Sequence, residues 1–308
     1  MKAKMLTQIK REFWECRSSF IKTPLVTTGI LVVLLVLGVA PWHYKIAGFI
    51  SHHSADYTGN STLGFDVLEE VAGQQSVTAD PAYLVHGLTA VFSVFTVILL
   101  LVLLFYFTDT LYSDRRDQSV LFWKSMPVSE RETVLSKLAA GVIGAPAVYV
   151  GAALLTGALF LLSFLVYAGS VWKIPVPEMG SVLAVFFKCG FGLVLGWIVL
   201  ALWYLPLFSW LLFSSAFVRK APFMLALGLP LALIVAEKWV LGSHQLFRVL
   251  RDQIGSGLYN FGVLVQDPLA LPARITAALS TPQFLFGLVL SAAFLSACVW
   301  LRKNRWEI

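Results

Sequence analysis

The chain has 308 residues, of which 58% are hydrophobic and 13% charged, with a mean hydropathy of +0.79. That balance excludes a soluble globular enzyme and leaves no stretch for a sizeable soluble domain; it describes an all-α integral membrane protein, a single transmembrane domain over 1–308. The net charge is +6, but the basic residues border apolar runs rather than clustering for nucleic acid, and Cys16, Cys189 and Cys298 lack disulfide or zinc spacing.

Residues 5–20 open the chain as a helix with one apolar face, where Leu6, Ile9, Phe13, Cys16 and Phe20 recur at spacings of three and four. Lys10, Arg11, Glu12, Glu15 and Arg17 lie largely off that face. The pattern suits a helix lying in the membrane surface, with packing on a soluble partner as the alternative. Thr23-Pro24 predicts an N-cap with proline at the first helical position, opening a span over 25–42. A signal peptide is rejected, because its leading region would be long and itself structured.

Residues 43–86 are polar and form an outer loop. His52-His53 with Asp56 are usable metal ligands, but adjacent histidines on a polar loop read more simply as surface residues. Asn60-Ser61-Thr62 matches a glycosylation sequon. A second span covers 88–107.

The stretch 109–138 follows, with ten charged residues between two long apolar runs. Each charge would cost about 2.5–3.5 kcal/mol at a bilayer centre, so the stretch lies in water. Asp114 to Lys124 predicts a helix of about three turns, broken at Ser125-Met126-Pro127. Ser129-Glu130-Arg131-Glu132 predicts a capping box that starts the next helix. Around the short helix, Arg116, Val120 and Trp123 share one side while Asp117, Leu121 and Lys124 share another. Charged and apolar groups therefore alternate, which suits contact with both membrane and a partner protein; an ordinary solvated loop helix is the alternative.

The run Asp114-Arg115-Arg116-Asp117, then Val120 to Ser129, then Lys137, resembles the first cytoplasmic loop of ABC transporter type 2 permeases. That resemblance implies a six-span bacterial exporter subunit with an elbow helix at 5–20. It also implies a coupling helix that docks on a separate ATP-hydrolysing subunit. Its coupling residues would be Asp114, Arg115, Arg116, Asp117, Leu121, Phe122, Trp123, Lys124, Met126 and Pro127. In a bacterial protein the Asn60 sequon would stay empty.

A third span runs over 139–167, and Trp172 marks a short outer turn. A fourth, 181–213, exceeds the bilayer, and Pro206 can kink it near its inner end. Within it Lys188 is the one charge inside an apolar run, either snorkelling to the outer surface or lining a wet path for substrate. Gly192-x-x-x-Gly196 permits close helix contact. A fifth span covers 221–241 with Pro230 inside it. Residues 242–282 predict one or two amphipathic outer helices, broken near Gly255-Ser256-Gly257 and Asp267-Pro268. The resemblance implies short helices dipping into the outer leaflet there. The sixth span is 284–301.

Charge placement orients this layout. Six Lys/Arg precede Pro24, five lie in 109–138, two at 219–220 and three after 301, so sixteen of the 23 fall on one side. Acids split evenly, so both termini are expected on the inner side, and the resemblance implies that the membrane is a bacterial plasma membrane with the termini in the cytoplasm.

No phosphate-cradling GxxxxGK[ST] loop, HExxH, GxSxG, or inward cluster of carboxylates with His exists in the chain. The chain is expected to carry no catalytic residues, cofactor or metal of its own. The function that the resemblance implies is the permease subunit of an ATP-driven exporter of a lipid-like, peptide or drug-like substrate. Its expected partners are two copies of a cytoplasmic ATPase holding ATP and magnesium, a second or related permease, and membrane lipid. The alternative is a non-transporting scaffold or sensor that recruits another protein through 109–138.

Overall fold

The computed structural model describes residues 2–37, 81–116, 129–166, 178–218 and 220–304. These are helical, with no strand among the described residues. We number the helices α1 (Lys2–Glu15), α2 (Ser18–Leu37), α3 (Pro81–Arg116), α4 (Glu130–Val166), α5 (Met179–Trp203), α6 (Leu205–Phe217), α7 (Met224–Leu241), α8 (Gln245–Gln266), α9 (Leu271–Ser280) and α10 (Pro282–Asn304). Six are long and apolar enough to cross a membrane: α2, α3, α4, α5, α7 and α10. The chain is thus built as a multi-pass membrane protein.

Helix α3 is central, packing against α4, α5 and α6, while α10 packs on α6. Between apolar helices in lipid, side-chain fit rather than water exclusion supplies the attraction. Here the fit is largely aromatic. Phe107 meets Phe208 at 5.1 Å between ring centroids, and Phe20 of α2 meets Tyr106 at 5.1 Å. Helices α2 and α7 stand at the periphery, and no side chain from Leu229 to Leu241 is buried.

Three prolines sit inside helices and share one arrangement. Pro24, Pro146 and Pro230 each follow, by two residues, a five-residue π-helical turn: Ser18–Lys22, Ala140–Gly144 and Met224–Gly228. Proline has no N–H and its ring crowds the carbonyl four residues earlier. A wider turn relieves the crowding but leaves carbonyls in need of donors. Neighbouring helices supply them. Trp197 Nε1 donates to Val142 O at 3.1 Å, Trp210 Nε1 to Ala226 O at 2.9 Å, and Tyr149 OH to Ser19 O at 3.1 Å. Val142 and Ala226 stand four residues before Pro146 and Pro230.

The arrangement corrects the predicted N-cap at Thr23. Thr23 is itself helical (φ −59°, ψ −52°) and the helix continues through Pro24. The predicted kink at Pro206 is a break at Tyr204 (φ −91°, ψ 1°), which separates α5 from α6.

Helix α8 differs more from expectation. It runs unbroken through Gly255-Ser256-Gly257 and ends at Asp267-Pro268. Rather than breaking into short outer helices, it lies antiparallel along α5. Gln253 Nε2 donates to Trp203 O at 2.6 Å, Tyr204 OH donates to Ile254 O at 2.7 Å, and Phe261 lies over Gly196. Small residues on α5 permit this. A Cβ at Gly192 would overlap the Leu264 carbonyl oxygen and come within 2.8 Å of Val265 Cα. Gly257 likewise serves close approach, to the Tyr204 ring, rather than a turn.

Candidate functional site

The charge-rich loop joins α3 to α4, and its two described roots meet in a buried ion network. The Ser129 capping box is formed: Ser129 N donates to Glu132 Oε2 at 3.0 Å, and Glu132 N donates to Ser129 Oγ at 3.3 Å. It fixes the start of α4, so that Glu130, Val134 and Lys137, at spacings of four and three, share one face. Tyr106, Thr110 and Asp114 share the facing side of α3.

Lys137 is 2% exposed and all three of its donors are used. Its ammonium lies 2.9 Å from Glu12 Oε1, 3.1 Å from Thr110 Oγ1 and 3.3 Å from Asp114 Oδ1. Arg302, at the end of α10 and 2% exposed, reaches Asp114 Oδ2 at 3.4 Å with Nη1 and Glu130 Oε2 at 2.6 Å with Nε. Tyr106 OH closes the group by donating to Lys137 O at 3.1 Å. Glu12, Asp114, Glu130, Lys137 and Arg302 thus join four helices with three acids and two bases. Burial holds the Glu12 carboxyl above the usual carboxylate range, with Lys137 opposing. Burial also pushes the neighbouring Cys16 thiol up to about 12, so it is no thiolate at neutral pH.

This network corrects the expectation that Lys188 is the one charge buried in the chain. Lys188 is half exposed, its ammonium 3.8 Å from Asp267 at the end of α8. Glu12 escaped sequence reasoning because it lies off the apolar face of its helix, and Arg302 because it ends an apolar span; a charge in either place reads as solvated. The available signal was the shared face of Glu130 and Lys137, whose charges flank buried Val134.

The predicted coupling residues divide. Asp114 is in the network. Arg115 turns toward α6, its Nη2 donating to Ser215 O at 2.7 Å and Val218 O at 2.6 Å, where the free carbonyls of that helix end favour a cation. Arg116 is exposed, 6.0 Å from the Tyr112 ring centroid. All three extend α3 rather than forming a separate helix. Asp117, Leu121, Phe122, Trp123, Lys124, Met126 and Pro127 lie outside the described residues, as do His52, His53, Asp56, Asn60 and Trp172.

Beside the network is an open cleft of about 960 Å³ between α1, α3 and Pro222-Phe223. Its α3 wall is apolar at Val102 and Phe105 and polar from Thr108 to Asp114.

No family model matches the chain, and no curated protein or solved structure matches it either.

Proposed function

We propose that the chain is the membrane-spanning permease subunit of an ATP-driven transporter, energised by a separate cytoplasmic ATPase that docks on the loop between Arg116 and Ser129. The observation that carries this reading is the double hold on the loop. Asp114 and Glu130, its two roots, are both held by Arg302, so a push on the loop is delivered to α3, α4 and α10 together. Hydrolysis by the partner agrees with a sequence that has no phosphate-cradling GxxxxGK[ST] loop. The same reading places the loop and both termini in the cytoplasm of a bacterial plasma membrane. Two copies, or this chain and a related one, would complete the path for a lipid-like, peptide or drug-like cargo.

Phe122 and Trp123 are the anchors to test, since large aromatics dominate interface energies and their truncation can cost about 2 kcal/mol or more. The permease is co-expressed with the ATPase of its own operon and purified by its tag. Phe122→Ala/Trp123→Ala should lose ATPase or substrate-stimulated hydrolysis while its unfolding temperature stays unchanged. Full association with full transport would overturn the coupling role. Recovery of a non-ATPase partner through the same loop would favour a scaffold. A single cysteine at Ser119 should be closed to an impermeant thiol reagent in intact cells, and one at Ser54 open to it.

A further inference from the structure

The cleft beside the network has two chemically distinct walls. Val102 and Phe105 are followed on α3 by Asp109 and Ser113, at helical spacings that place them on one side. Phe105 is 60% exposed and stacks on Phe223 at 5.7 Å, the ring planes 6° apart. Below this aromatic pair the cleft carries four carboxylates, Glu12, Glu15, Asp109 and Asp114, against two bases, Arg11 and Lys137.

Pairing removes most of those charges from account. Lys137 is shared by Glu12 and Asp114, Asp114 also receives Arg302, and Arg11 pairs with Glu15. Asp109 is exposed and has no ion pair among the described residues. One carboxylate without an ion pair among the described residues therefore stands one helical turn from an exposed aromatic stack, at the edge of the apolar part of α3. A carboxylate attracts a cation, and an aromatic face attracts the same cation when partly desolvated. The volume lies within the range of sites for small organic ligands, about 300–1,000 Å³.

We infer that this cleft binds a cationic amphiphile drawn from the membrane leaflet, its charged head at Asp109 and its apolar body along Val102, Phe105 and Phe223. An anionic head is disfavoured by the excess of carboxylates. A neutral chain would leave Asp109 unpaired at the membrane edge. As a statement about cargo the inference rests on the transport reading above. As a binding site it is tested on the permease alone, so failure of ATPase coupling would leave the result standing.

The test uses the full chain in phosphatidylcholine nanodiscs and a benzophenone-tagged dodecyltrimethylammonium probe, with cross-linked peptides mapped by mass spectrometry. Labelling is expected within 102–113 or 222–223, displaced by dodecyltrimethylammonium and not by neutral dodecyl maltoside. Asp109→Asn should raise the half-saturating concentration about tenfold, the scale of one charge-assisted contact. Phe105→Ala should weaken labelling in the same direction. Asp252→Asn, which does not line the cleft, should change nothing. Equal displacement by the maltoside, or unchanged labelling of both Asp109→Asn and Phe105→Ala, would overturn the inference. Absent labelling together with a disulfide-linked dimer from Asp109→Cys would assign the cleft to a second copy instead, and equally overturn it.

Discussion

The indole N–H of Trp210 donates at 2.9 Å to the carbonyl of Ala226, the acceptor that Pro230, four residues on, cannot serve. The donor comes from α6 and the defect lies in α7, so the fold repairs on one helix what the sequence breaks on another. Trp197 and Val142 repeat the relationship between α5 and α4.

Trp210→Phe should therefore cost more than an exposed aromatic exchange. It leaves a carbonyl without a partner in an apolar setting, a penalty of about 1–3 kcal/mol. In a Pro230→Ala background the residue at 230 regains an N–H, so the same substitution should cost less. Thermal unfolding of the four proteins in one detergent checks the cycle, and equal costs in both backgrounds would refute the repair.

Arg302→Met should strip Asp114 and Glu130 of a shared cation. Breaking a buried pair from one side costs about 3–5 kcal/mol when the remaining charge has no partner; Asp114 keeps Lys137 and Glu130 is partly exposed, so the loss should lie at or below the low end of that range. Arg302→Lys should recover only part, since an ammonium lacks the rigid fork that reaches two carboxylates at once. Removing charge from both sides, as Glu12→Leu with Lys137→Met, should cost less than the sum of the single changes. Unfolding temperatures in matched micelles decide each comparison.

The Glu12 carboxyl gives a pH dependence with a defined sign. Its folded value lies above the ordinary one near 4.5, so the native chain takes up this proton before the unfolded chain does. The contribution of Glu12 to stability is thus largest below that ordinary value and is lost as pH rises through the raised one. Glu12→Gln fixes the neutral form and should flatten the curve. The difference in unfolding temperature, wild type minus Glu12→Gln, should rise from neutral pH toward pH 5. A difference falling on acidification would reverse the assignment.

Gly192→Ala should displace α8 from α5, since its Cβ meets backbone that cannot swing aside. Overpacking of this kind costs about 1–3 kcal/mol, and occasionally more. Gly151→Ala meets nothing within 4 Å and should be neutral or stabilising by up to about 1 kcal/mol, from helix propensity. Proteolysis at the turn around Gly242 reports whether α8 has loosened, and similar protection of both variants would argue against a tight seam.

The long helices were legible in the sequence because span length and apolarity are properties of a segment alone. The Ser129 capping box was legible for the same reason, being complete within four residues. The ion network was not. Glu12 and Arg302 lie 290 positions apart and become partners of one cluster only through the packing of α1 and α10 against α3 and α4. Helix α8 misled because its glycines resemble breaks. What Gly257 admits is the Tyr204 ring, from the break between α5 and α6, which local pattern cannot show to be a neighbour. The π-helical turns were hidden too, although each embedded proline marks one in retrospect.

Those turns have a consequence for helix phase. A π-helical turn holds one residue more than the regular helix needs for the same advance. Upstream of Ala140–Gly144, α4 carries Glu130 and Lys137; downstream it carries Tyr149 and Thr156, which bind Ser19 and Thr28 of α2. Deleting one residue within the turn would regularise the helix and rotate one half against the other by about 100°. Lys137 could then face Asp114, or Tyr149 could face Ser19, but not both. The widened turn is the angular offset that lets a single rod answer to two sets of neighbours.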